Sequence, residues 1–208
     1  MLKPENIDAL VFDLGGVVMN LDFVRSRQAF ADLGLPEFYK ADPNETFYKV
    51  TMDFLNGLTT DEEFYRAIKP YCREGITLGE ILSRMNDALD EIPLSRLQRL
   101  AAWRKHYKVY LLSNLNEMAW IASLQMFRDK GFEPEDCFDK LFLSFEMKLA
   151  KPDARIYRQL IDETGINPSR TLYFDDLAEN VEGGKACGLQ SYRVTPNNIE
   201  LLWEELGL

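Results

Sequence analysis

The chain has 208 residues, 46% hydrophobic and 28% charged, which suffices for one large domain or for a domain carrying an insertion. A formal net charge of −10 repels polyanions, which excludes nucleic acid and anionic membranes as expected partners but leaves room for a small anion in a locally positive site. The N-terminal stretch MLKPENIDALVF has only a short apolar run, so neither a secretory leader nor a membrane span is expected, and a cytoplasmic location is expected by default.

The first predicted element is a buried strand over residues 7–12, within IDALVFDLGGVV. There an apolar run meets Asp13, Leu14 and then the pair Gly15 and Gly16, residues suited to a sharp turn. The next 70 positions, residues 22–91, read as wholly helical. Their segments are DFVRSRQAFADLG, NETFYKVTMDFLNG, TTDEEFYRAIKPYC and TLGEILSRMNDALDEI, with apolar residues at helical spacing and Asp, Asn or Thr at several starts to cap them. Aromatics are dense here and read mostly as internal packing, while LNGLTTDEE, at 55–63, reads as a loop able to reach a site below.

From residue 93 the pattern alternates. A helix in PLSRLQRLAAWRKHY precedes strand KVYLLSN; helix NEMAWIASLQMFRDKG precedes strand KLFLSFEM; helix DARIYRQLIDETG precedes strand TLYFDD; and helix LAENVEGGKACG precedes strand LQSYRV, before a last helix in NNIELLWEEL. Such alternation predicts an α/β fold around a parallel sheet, with residues 22–91 inserted over the carboxyl ends of the strands, where open α/β sheets bind ligands. Cys72, Cys137 and Cys187 lie far apart without CxxC spacing and read as reduced thiols. His106, the single histidine, reads as a solvated helix-end cation. Carboxylates and lysines must therefore carry most of any chemistry.

Four features fall at predicted strand ends: Asp13, Ser113 with Asn114, Lys151 before Pro152, and Asp175 with Asp176. Two adjacent carboxylates closing an apolar strand repel each other and lose hydration, so a cation belongs beside them, and a hard divalent ion with oxygen ligands is the economical choice. Asp13 can join them, because parallel strands present their C-terminal ends on one edge of the sheet. A phosphoryl group would be tolerated there if Mg²⁺ and Lys151 neutralise it and the Ser113 hydroxyl with bare glycine backbone holds its oxygens.

The motifs FDLGGV, LLSN, KPDARIY and YFDDLAEN, in that order, resemble those of the haloacid dehalogenase-like hydrolases over essentially the full chain. They also resemble the subgroup containing epoxide hydrolase N-terminal phosphatase domains and bacterial phosphatases acting on α-glucose 1-phosphate. The resemblance implies a Rossmann-like, doubly wound parallel sheet built from residues 1–21 and 92–208, with residues 22–91 as a mobile all-helical cap. It further implies a Mg²⁺-dependent phosphatase acting on a small phosphorylated metabolite such as a sugar 1-phosphate, as a monomer or homodimer. Asp13 would be the nucleophile, assisted by Ser113 and Lys151. Asp13, the Gly15 carbonyl, Asp175 and Asp176 would hold the metal. Leu14, Gly15, Ser113, Asn114, Lys151 and Asn180 would bind or support the phosphoryl group.

One position departs from the pattern. Phosphatases of this family usually carry a second aspartate two residues after the nucleophile to move the leaving-group proton, and here that residue is Gly15. Three readings follow: a phosphatase whose leaving group needs less help, a metal-free 2-haloacid dehalogenase, or a silent phosphate-binding protein. The acidic pair opposes the second reading and retention of Asp13 opposes the third. Asp22, the one acid near Gly15 in sequence, reads first as a helix N-cap and only second as a substitute proton carrier.

Overall fold

A computed structural model describes residues 6–42 and 45–208. Residues 1–5, Pro43 and Asn44 lie outside the described residues, and with them the start of the N-terminal stretch and the expected Asn44 cap.

Five strands, β1 (Ala9–Phe12), β2 (Lys108–Ser113), β3 (Lys140–Leu143), β4 (Thr171–Asp175) and β5 (Gln190–Arg193), pair in parallel in the order β3-β2-β1-β4-β5. Chain order therefore reverses at β1, where sheets of this kind open a crevice beyond their carboxyl ends. Strand β1 is buried along its whole length, as a continuous apolar strand covered on both faces should be. Leu10 and Phe12 face one core with Leu111, Phe174, Trp103 and Trp203, and Ala9 and Val11 face another with Tyr110, Tyr157 and Tyr173. Phe12 stacks on Phe174 with ring centroids 5.0 Å apart.

The helices covering the sheet are α5 (Leu94–Trp103), α6 (Glu117–Asp129), α7 (Pro134–Cys137), α8 (Ser144–Met147), α9 (Ala154–Thr164), α10 (Ala178–Ala186) and α11 (Ile199–Leu206). Between β1 and α5 lie α1 (Phe23–Asp32), α2 (Thr46–Leu55), α3 (Asp61–Ile68) and α4 (Leu78–Met85), with a hydrophobic cluster of their own. Its centre holds Phe30 stacked on Phe38 and Phe54 stacked on Phe64, both at 4.0 Å. The aromatics of this segment thus serve mainly its own packing. Helices α3 and α4 each begin with a capping box, Thr60 with Glu63 and Thr77 with Glu80, which satisfies donors at both ends of the first turn.

All five predicted strands are shorter in the structure, β2, β4 and β5 by a single residue at one or both ends. β1 begins at Ala9 rather than at residue 7, although Asp8 still donates its N–H to Arg170 O. The run 140–147 stops at Leu143 and turns into α8, because the Ser144 hydroxyl donates to Asn56 O at 2.6 Å and accepts the Leu115 N–H at 2.9 Å. These side-chain bonds take the place of a ladder. The chain enters and leaves the four-helix segment through paired backbone: Asn20 N–H donates to Glu91 O, Asp90 N–H to Asn20 O, and Asp22 N–H to Ala88 O. Among the described residues no helix is long and apolar enough to cross a membrane.

Candidate active site

Strand register brings the acids together. Phe12 pairs with Phe174 and Asp13 donates its N–H to Phe174 O at 2.9 Å, so Asp13 emerges beside Asp175, with Asp176 one residue further. On the other side Phe12 pairs with Leu111, which sets Ser113 at the same edge. Asp13, Asp175 and Asp176 are all buried, and each offers an oxygen within 4.8 Å of the others.

Lys151 lies among them with its side chain fully buried. Its ammonium donates to Leu112 O at 2.8 Å and to Asp175 Oδ2 at 2.7 Å, and meets Asp13 Oδ1 at 2.8 Å, which commits all three protons. Burial alone would pull its pKa down, but Asp13 and Asp175 outweigh that and push it up. The lysine is a fixed counter-charge.

The two carboxylates of the pair divide their duties. Asp175 accepts from Lys151, the Tyr173 hydroxyl, the Leu177 N–H at 2.9 Å and the Asn180 amide at 3.1 Å. Those four donors fill the lone-pair positions a carboxylate has. Asp176 accepts no side-chain hydrogen bond from another described residue. Burial, then repulsion from Asp13 and Asp175, raises its pKa to about 7. Asp13 is raised to about 6, mainly by burial and then by Asp175, against the pull of Lys151 and the Leu14 N–H. Three carboxylates thus share one lysine, and the cluster lacks positive charge.

The donor set fits a hard divalent cation. Asp13 Oδ2 and the Asp176 carboxylate are uncommitted to other side chains, and the Gly15 carbonyl accepts no hydrogen bond among the described residues. Asp175, with its oxygens filled, is placed to fix Lys151 and the start of α10 rather than to bind an ion directly. Gly16 makes this approach possible. It has φ +74°, and a Cβ there would lie 2.7 Å from Asp176 Oδ2. The close passage expected of the glycine pair thus belongs to Gly16. A Cβ on Gly15 would meet only the Leu21 side chain, at 3.4 Å or more.

The other expected binding residues fall into two groups. Ser113, Leu14 and Gly15 line a cavity of about 170 Å³ together with Leu55 and Met85 of the helical segment. Asn114 also lines it, but its amide is spent on Lys151, accepting that residue's N–H and donating to its carbonyl, both at 2.9 Å. Asn180 is spent on Asp175. Both amides position the machinery. No carboxylate or histidine lines the cavity. Asp22 caps α1 through the Val24 and Arg25 N–H groups at 2.9 Å, and the Arg25 bond holds its pKa down, opposite to what a proton donor needs.

Of the 55–63 stretch only residues 56–60 form a loop, between α2 and α3, and that loop reaches the lower layer. Gly57, at φ +71°, would place a Cβ 2.3 Å from Phe145 Cβ and 2.7 Å from Leu115 O. Gly57→Ala should therefore unseat the loop and lower kcat/KM by about tenfold or more, given local strain of about 1–3 kcal/mol. Gly75→Ala isolates backbone strain alone, since Gly75 has φ +77° and no atom within 4 Å of a Cβ. Steady-state kinetics on both variants decide, and equal losses would remove the loop contact from the explanation.

Arg96 was not legible as a site residue. Almost fully buried, it donates to Val17 O at 2.9 Å, to Asn20 Oδ1 at 2.8 Å and to Asn197 O at 2.9 Å, and forks onto Glu200. Asn197 N–H in turn donates to Gly16 O, and its amide grips both backbone groups of Leu21. Together they pin the turn that carries Gly15 and Gly16.

Residues 7–188 match the haloacid dehalogenase-like hydrolase family. The chain is 32% identical over 192 residues to D-ribitol-5-phosphate phosphatase of Bacteroides thetaiotaomicron, spanning 90% of this chain and 91% of that protein. Its structure superposes with a TM-score of 0.79 on a haloacid dehalogenase family enzyme of the same organism in complex with magnesium and inorganic phosphate, 32% identical, covering 92% of this chain and 96% of that one. A hydrolase of the same family from Porphyromonas gingivalis gives 0.82 at 26% identity, covering 96% and 98%.

Proposed function

The chain belongs to the haloacid dehalogenase-like hydrolases, and from that premise we propose that it is a Mg²⁺-dependent phosphatase acting on a small sugar or sugar-alcohol phosphate, with Asp13 as nucleophile. The observation that carries this reading is the buried cluster of Asp13, Asp175 and Asp176 around Lys151 at the switch point of the sheet. A metal-free dehalogenase would leave those acids facing an anionic haloacid. The relatives named for a sugar-alcohol phosphate and solved with magnesium and phosphate support the same choice.

Asp13, Asp176 and the Gly15 carbonyl would hold Mg²⁺, which when bound neutralises phosphoryl oxygens beside the nucleophile. Lys151 orients Asp13 and keeps it ionised. An Asp13 oxygen attacks phosphorus, the bond to the leaving oxygen breaks, and that oxygen takes its proton from water, Gly15 standing where the family usually carries its second aspartate. Water then attacks the phosphoryl group and returns Asp13 as a carboxylate with release of phosphate. Residues 22–91 would act as the cap that excludes bulk water during these steps. Loss of a general acid typically costs about 10²–10⁴-fold, which leaves a slower enzyme rather than an inert one.

Phosphate release from ribitol 5-phosphate, glucose 1-phosphate, acetyl phosphate and p-nitrophenyl phosphate, with Mg²⁺ or with EDTA, tests the proposal. Metal-dependent release from a hydroxylated ester is expected. Halide release from 2-chloropropionate without metal, or phosphate binding without turnover, would overturn it.

Magnesium should also stabilise the fold in a pH-dependent way. Asp13 and Asp176 have folded pKa values raised to about 6 and about 7 from 3.8, so the native state holds their protons longer than the unfolded one. The metal-free protein therefore loses stability as pH rises from about 4 through 7. Mg²⁺ relieves that penalty only where the acids ionise. Thermal melts should show a larger Mg²⁺-induced rise at pH 8 than at pH 5, and equal rises at both would contradict the assigned ligands.

A further inference from the structure

Asn116 is the N-cap of α6 and is 6% exposed, and its two amide atoms face different tasks. Its Oδ1 is fixed by the Ala119 N–H at 2.8 Å, which also settles the orientation of the amide. Its Nδ2 has no protein acceptor among the described residues. Asn116 lines the cavity bounded by Gly15, Ser113 and Leu55, and it also lines a larger cavity of about 470 Å³ that Thr59, Thr60, Asp61 and Glu62 of the helical segment share with Glu117 and Lys148. It therefore stands where the two spaces meet, presenting two unspent N–H donors from a rigid helix start.

An ammonium or guanidinium there would bind any anion, whereas a neutral amide pair rewards a neutral oxygen and leaves specificity to hydroxyl placement. We propose that Asn116 is a specificity-determining residue whose Nδ2 donates to a hydroxyl or ether oxygen of the leaving group, so that the enzyme selects uncharged, hydroxylated phosphate esters. The assignment rests on the phosphatase reading. Without such an oxygen, the donors lose their solvent and gain nothing when the cap seats, which penalises bare aryl or alkyl esters.

Asn116→Asp and Asn116→Ser both retain an acceptor for the Ala119 N–H, so the helix cap survives while the donor pair is lost. The test compares kcat/KM with Mg²⁺ for the best hydroxylated ester of the panel and for p-nitrophenyl phosphate. The shared phosphoryl dianion cancels the charge effect of the aspartate. In both variants the ratio of the two values should fall by about tenfold or more, chiefly through KM of the hydroxylated ester. An unchanged ratio overturns the assignment and leaves the phosphatase reading standing, as does wild-type turnover of the aryl ester alone. Wild-type protein silent on every ester overturns both.

Discussion

Asp13→Asn should abolish phosphate release, by about 10⁴-fold or more as for other lost nucleophiles, and leave the fold as stable as before or more so. The amide cannot form the covalent phosphoryl bond. It is also neutral in a place where burial already raises the aspartate's pKa to about 6, so removing the charge relieves desolvation and repulsion of Asp175 and Asp176. Lys151 keeps two of its three acceptors, Leu112 O and Asp175. Melting curves without Mg²⁺, read beside phosphate release, separate the two effects. An active Asp13→Asn enzyme would overturn the mechanism, and an unfolded one would show that Asp13 stabilises the fold instead.

Lys151→Met should act in the opposite sense, removing both activity and stability. The substitution leaves three buried carboxylates without a cation among them, and breaking a buried pair costs about 3–5 kcal/mol. The sign with pH follows. Without the lysine, the native-state pKa values of Asp13 and Asp176 rise further above 3.8, so the penalty grows as pH climbs towards those native-state values. Denaturation at pH 8 should show the full loss and at pH 5 much less. Lys151→Arg should not rescue it, because the ammonium is enclosed by three acceptors and a planar fork cannot satisfy them from the same point. A Lys151→Met protein as stable as wild type at pH 8 would refute the counter-charge role.

The parts of this site written in one continuous stretch of chain were readable without coordinates. Each strand announces itself by a run of apolar residues, and an acid, serine or lysine at its end is conspicuous because the run makes burial there expensive. Asp22 was readable for the same reason, since an N-cap bonds to residues two and three positions on. Parallel pairing did the remaining work of convergence, aligning Phe12 with Phe174 and so Asp13 with Asp175.

What the sequence could not carry was the allocation of hydrogen bonds. Asp175 and Asp176 are identical neighbours on paper, and only the arrival of Tyr173, Lys151, Leu177 and Asn180 at one of them leaves the other open. Arg96, in PLSRLQRL, has the look of a solvent-facing helix residue, yet its partners come from residues 17–20 and 197–200. The turn of Ser144 out of its strand depends on Asn56, 88 positions earlier. The sequence alone determined the fold class, the order of the strands' chemical ends and the absence of a second aspartate at Gly15, because periodicity and strand-end chemistry are local. The tertiary structure decided which acid is free, what fixes the turn after Asp13 and which residues of the helical segment line the cavity, because each depends on groups that meet only when distant segments exclude water together.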